Sequence, residues 1–181
     1  MTAILKVDEI QDTSGNNIIN ENANTITIGK SGDTVNLASG ATAGFGKVLQ
    51  SVSATDTTER ATTSSTFVTI SNTLSVNITP SSTSSKIFVV LSTSLYSANA
   101  AKATYVTIFR DSTNLGNANG LIRLYNASNA MGIGGTCAVL DSPSSTSEIT
   151  YQAYIRGDSG STQASINANT SGFITAFEIG A

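Results

Sequence analysis

Leu74-Ser-Val-Asn-Ile-Thr-Pro-Ser-Ser-Thr-Ser-Ser-Lys-Ile-Phe-Val-Val-Leu91 decides the fold class. Leu74, Val76 and Ile78 alternate with Ser75 and Asn77, the period of two that marks a strand with one buried face. Pro80 ends that strand, because proline has no N–H to give to a ladder. Ser81–Ser85 supplies a turn. Ile87–Leu91 is then a continuous apolar run, which predicts a strand covered on both faces.

The same pattern continues outward in both directions. Lys47–Ala54 is apolar at Val48, Leu49 and Val52, and residues 55–66 read as a polar loop before Phe67–Ile70. Downstream, Tyr105–Arg110 leads into Asp111-Ser-Thr-Asn114, a turn suited to a hairpin. Leu121–Tyr125, Thr136–Leu140, Ile149–Arg156, Gln163–Asn167 and Phe173–Ile179 follow. Ala98–Ala103 is helix-friendly but short and without amphipathic period, so it reads as a loop. Roughly eight to ten short strands at this spacing predict a sandwich or jelly roll over residues 46–181.

Residues 1–45 differ in composition. Ile4–Ile10, Ile18-Ile19, Thr25–Ile28 and Thr34–Leu37 are short strand-like pieces separated by Gly and Asn turns. Their apolar content is too thin for a core of their own. Packing against copies of the same segment, as an intertwined β-stalk, solves that problem; a disordered linker is the alternative.

Composition fits an all-β chain. Among 181 residues, charged side chains make up 12 %, apolar ones 39 %, and the net charge is −3. Ser, Thr and Asn together exceed a third of the chain. Low hydrophobicity with high net charge defines disorder, and neither applies. Nine Lys and Arg against twelve Asp and Glu, scattered along the chain, leave no basic stripe for nucleic acid. No window is long and apolar enough to span a bilayer as a helix. Lys6, Asp8 and Glu9 interrupt the first apolar stretch, unlike a signal peptide.

Chemistry is sparse. Without histidine, no Ser/His/Asp or Cys/His arrangement exists. Cys137 sits in an apolar strand with no nearby cation and reads as a structural thiol. Gly29-Lys-Ser-Gly-Asp33 lacks the first glycine of a phosphate loop, since position 24 is Asn24. Met131-Gly-Ile-Gly-Gly135 opens no helix and fails as a dinucleotide fingerprint. Asp111, Asp141 and Asp158 flank turns, where Asp bonds to its own backbone. The expectation is a protein that binds rather than turns over, with no catalytic residues, cofactor or metal.

Leu5–Ile19 is similar to the start of many virion proteins of marine tailed phages. Asn24–Ala43 resembles their short β-stalks, and Gly46-Lys-Val-Leu-Gln50 resembles the lead-in to their C-terminal β-domain. Asn77–Ile87 and Phe109–Gly116 resemble parts of that domain. The resemblance implies a tail-fibre-like or capsid-fibre protein, homotrimeric, exposed on the particle, with residues 1–45 as anchor and stalk and residues 46–181 projecting. Its fold would be all-β, a stalk followed by a jelly-roll-like sandwich. Ile4, Leu5, Val7 and Ile10 would add to a sheet edge of another virion protein. The outer domain would contact a host surface glycan or protein, for which Tyr96, Tyr125 and Tyr154 are candidates. The runner-up is a capsid decoration or tail adaptor protein with no host contact.

Several strands are apolar on both faces. Phe173, Phe177 and Ile179 oppose Ile174 and Ala176; Tyr105, Thr107 and Phe109 oppose Val106 and Ile108. A sandwich needs one such face per strand. The second predicts a subunit interface, assigned to Val106, Ile108, Ile174 and Ala176, with coverage by the chain's own loops as the alternative.

Overall fold

A computed structural model describes residues 9–11, 13, 17–22, 25–28, 48–69, 71–158 and 163–180. The chain divides into two units, Met1–Phe45 and Gly46–Ala181. In the first, β1 (Glu9–Gln11), β2 (Asn17–Asn22) and β3 (Thr25–Ile28) form an antiparallel sheet in the order β1-β2-β3. The register sets Ile10 opposite Ile19 and Ile19 opposite Ile28. Ile4, Leu5 and Val7, expected to add to a sheet edge of another protein, and the strand expected at Thr34–Leu37 lie outside the described residues. Ile10 is 40 % exposed.

In the second unit the chain runs through β4 (Val48–Asp56), β5 (Arg60–Thr62), β6 (Val68–Thr69), β7 (Ser75–Ile78), β8 (Lys86–Ser97) and β9 (Lys102–Arg110). It continues through β10 (Thr113–Asn114), β11 (Ile122–Asn126), β12 (Met131–Asp141), β13 (Ile149–Gly157), β14 (Ala164–Ile166) and β15 (Gly172–Ile179). No helix occurs among the described residues. Two antiparallel sheets result. One sets β12 beside β8, β8 beside β14 and β15, and these beside β5 and β4. The other sets β10 and β11 beside β9, β9 beside β13, and β13 beside β6 and β7. The chain crosses from sheet to sheet between β5 and β6, β7 and β8, β8 and β9, β11 and β12, β12 and β13, and β13 and β14.

One core joins the sheets. Leu74, Ile87, Val89, Leu91, Val106, Ile108, Tyr151 and Ile174 are all fully buried within it. Period two operates as the sequence predicts: Leu74, Val76 and Ile78 point inward together. Burial of each such side chain stabilises by about 1.5–3 kcal/mol, before the entropy of ordering it.

Three expectations need correction. Val106, Ile108, Ile174 and Ala176 are 0 % exposed inside the chain's own core. They are closed to a second copy, because they pack between the two sheets in one core with Leu74, Val89 and Leu91. Ile87–Leu91 is covered on one face only: Ile87, Val89 and Leu91 are buried, and Phe88 is 37 % exposed. Residues 55–66 are not a plain loop, since they complete β4 and contain β5.

Two carboxylates, Glu178 buried and Asp141 largely so, clamp one end of the sandwich. Asp141 and Glu178 flank Ile87 in a single row across β12, β8 and β15. Asp141 accepts both oxygens' worth of contact from Arg110 at 2.9 Å and a 2.6 Å bond from the Tyr151 hydroxyl. Glu178 accepts from the Ser81 N–H at 2.7 Å, the Ser81 hydroxyl at 2.6 Å and Gln50 Nε2 at 2.7 Å. Burial pushes the Glu178 carboxyl up, but the bonds from Ser81 and Gln50 prevail and hold it at about 2.

Candidate interaction surface

The two sheets treat their outer faces differently. On the β9 sheet the chain covers itself. Thr107 Oγ1 donates to Asn114 Oδ1 at 2.7 Å, and the backbone at Gly116 packs so closely that a Cβ there would stand 2.7 Å from that hydroxyl. Arg156 donates to the Ala118 carbonyl at 3.0 Å and lies 3.8 Å over the Tyr105 ring. Phe109 stacks on Tyr154 at 3.9 Å, with Phe67 edge-on to Phe109. The loop reading is therefore the right one for β9. Its outward residues Tyr105, Thr107 and Phe109 are covered from within the chain.

The β8 sheet leaves its outer face open, and register resolves it into rows. Leu140, Phe88 and Phe177 form one row; Ala138, Val90 and Thr175 form the next. Thr136, Ser92 and Phe173 come third, and Gly134 stands opposite Ser94 beyond them. Leu140 is 54 % and Phe173 44 % exposed. The face thus grades from apolar at the Phe88 end to polar at the Ser94 end. The sequence shows both apolar faces of β15 but not which one the second sheet would claim.

At the polar end two adjacent strand lines break at the same level. Residues 57–59 leave the sheet between β4 and β5, and residues 167–171 leave it between β14 and β15. The breaks forfeit ladder bonds, and a buried network replaces them. Asp56 accepts from the Ser71 hydroxyl at 2.5 Å, the Thr58 N–H at 2.9 Å and Arg60 Nε at 3.2 Å. Burial pushes the Asp56 carboxyl up, but these bonds outweigh it and leave it below the usual range. Asn167 donates to the Asp56 carbonyl at 3.2 Å and accepts from Thr93 Oγ1 at 2.8 Å. Asn167 and Asn169 hold φ of 58° and 54°, a region Asn tolerates well.

Between these two outgrowths and Gly134 lie three open depressions of about 430, 380 and 320 Å³. The first and second share Thr170 and Ser171, and the first and third share Glu59 and Asn169, so the three adjoin along one furrow. Of the three candidate tyrosines, Tyr96 lines this furrow. Tyr125 is 47 % exposed on the other sheet, beneath the Arg123 guanidinium at 4.9 Å. Tyr154 is half-buried in its stack with Phe109. Cys137 is buried, and burial pushes its thiol up to about 12. Among the described residues no three His, Cys, Asp or Glu gather as a metal site.

Fold and surface together define an all-β sandwich with one open, graded sheet face. No family model matches the chain, and no curated protein matches it.

Proposed function

We propose that this chain is a structural virion protein of a tailed phage, a homotrimeric fibre that attaches through its N-terminal unit and presents the sandwich to the host surface. The observation that carries the reading is the open apolar end of the β8 sheet. Phe88, Leu140, Phe177, Val90 and Ala138 form a continuous patch there, of the kind that marks contact sites. A second copy of the chain is its occupant, which moves the trimer contact from Val106, Ile108, Ile174 and Ala176 to the outer face of β8, β12 and β15. The strand order supports a jelly roll, with four strand lines in each sheet and the chain winding between them. The low-charge, Ser/Thr-rich composition suits a rigid exposed fibre built without disulfides. Residues 1–45 serve as anchor and intertwined stalk, and Ile4, Leu5, Val7 and Ile10 add to a sheet edge on another virion protein.

Density-gradient purification of particles tests the reading. The chain bands with the particles, antibody against it labels their surface, and deletion of residues 2–20 leaves a soluble trimer that no longer joins them. A chain found only in the soluble lysate overturns the proposal. A truncated chain that still joins the particles overturns the polarity.

A further inference from the structure

We infer that the furrow at the polar end of the β8 sheet binds a neutral saccharide. The inference rests on the reading that this domain faces a host surface, and it adds the site and the ligand class. Sugar hydroxyls donate and accept at once, so they are matched by side chains that do both. The furrow offers the amides of Asn169 and Gln163, the hydroxyls of Thr170 and Ser94, and the Glu59 carboxylate. Tyr96 is the aromatic among the lining residues, and an aromatic ring is an apolar plane of the kind on which the C–H face of a sugar ring rests.

Charge selects against acidic sugars. No Lys or Arg lines the furrow, and Glu59 forms no ion pair among the described residues. A uronate or sialate carboxylate would meet one negative charge and no counter-charge. A neutral sugar meets a strong acceptor instead.

The walls are held in advance of binding, which limits the ordering cost. Asn167 is pinned by bonds to Thr93, to the Asp56 carbonyl and to the Thr58 carbonyl at 3.3 Å. Thr170 Oγ1 donates to Ser94 Oγ at 2.9 Å, so the turn is fastened to the sheet beneath it. Ser165, in register with Tyr96, keeps a buried hydroxyl with no partner among the described residues. On the far wall Gly134 has open space where a Cβ would stand, which widens the furrow.

That open space supplies a clean test. Gly134→Leu fills the furrow with bulk that neither bonds nor stacks, and its Cβ would have no neighbour within 4 Å. Asn169→Gly removes one amide while keeping the backbone at ease. The full chain and both variants, with Tyr125→Ala as a control on the other sheet, are applied to immobilised oligosaccharides. Oligomers of glucose, mannose, galactose and N-acetylglucosamine are the neutral probes; uronate- and sialate-bearing oligosaccharides are the acidic ones. The full chain retains at least one neutral probe. Each furrow variant weakens that binding by about tenfold or more, at an unchanged thermal midpoint, and Tyr125→Ala leaves it intact. Retention of acidic probes alone overturns the inference, as does neutral binding that only Tyr125→Ala abolishes. Failure to retain any probe, by a chain that bands with particles, overturns the furrow assignment and leaves the virion reading standing.

Discussion

Phe88 and Phe177 stand opposite each other in the β8–β15 register, ring centroids 6.5 Å apart and planes inclined by 28°. Both belong to the outer face, directly across the sheet from the buried row of Ile87 and Glu178. Neither is needed to close the core. Replacing both with Ser removes the centre of the apolar patch and leaves Ile87, Val89, Ile174 and Ala176 in place. The double variant keeps its circular dichroism spectrum and loses about 1–2 kcal/mol of chain stability. Its mass in light scattering falls below that of the trimer. A folded double variant that kept the oligomer would put the contact elsewhere.

Gly172 is where the outgrowth of residues 167–171 rejoins the sheet. A Cβ there would lie 2.3 Å from Asn167 Oδ1 and 3.2 Å from the Ser92 carbonyl oxygen. Asn167 cannot retreat without losing its bonds to Thr93 and Asp56. Gly172→Ala therefore costs about 1–3 kcal/mol in urea unfolding, and the damage is local to the furrow. An unchanged midpoint would mean that this turn is free to move.

Glu178 makes stability depend on acid. Its carboxyl, near 4.5 when unfolded, is held at about 2 in the folded chain. A group depressed in this way contributes fully above pH 4.5, and the contribution fades as pH falls toward 2. Wild-type stability therefore declines through that window. Glu178→Gln is less stable at pH 7, because its amide faces the Gln50 donor, and its stability changes less on acidification. Parallel pH profiles for the two proteins would remove Glu178 from the account.

Much of the sandwich is legible in the sequence. Leu74–Ile78 emerges as β7 and Ile149–Arg156 as β13, because their period of two is unbroken. Thr136–Leu140 is recognised only as the second half of β12. Gly132, Gly134 and Gly135 interrupt its pattern, and without side chains they carry no strand signal there. Faces are harder than strands. Alternation separates Phe177 from Ala176 but cannot say which side the other sheet will cover. That is decided by residues far away in the chain: the Asn114–Gly120 loop covers the outer face of β9, and nothing among the described residues does so for β15. The furrow is not legible at all. It arises where two strand lines break at the same level, a coincidence of register between residues 57–59 and 167–171 that local pattern does not encode.

If the open face of the β8 sheet joins copies of the chain, the purified full chain is a trimer in solution. Sedimentation equilibrium at micromolar concentration should give a single species of three times 18.5 kDa. A monodisperse 18.5 kDa species under the same conditions would contradict it.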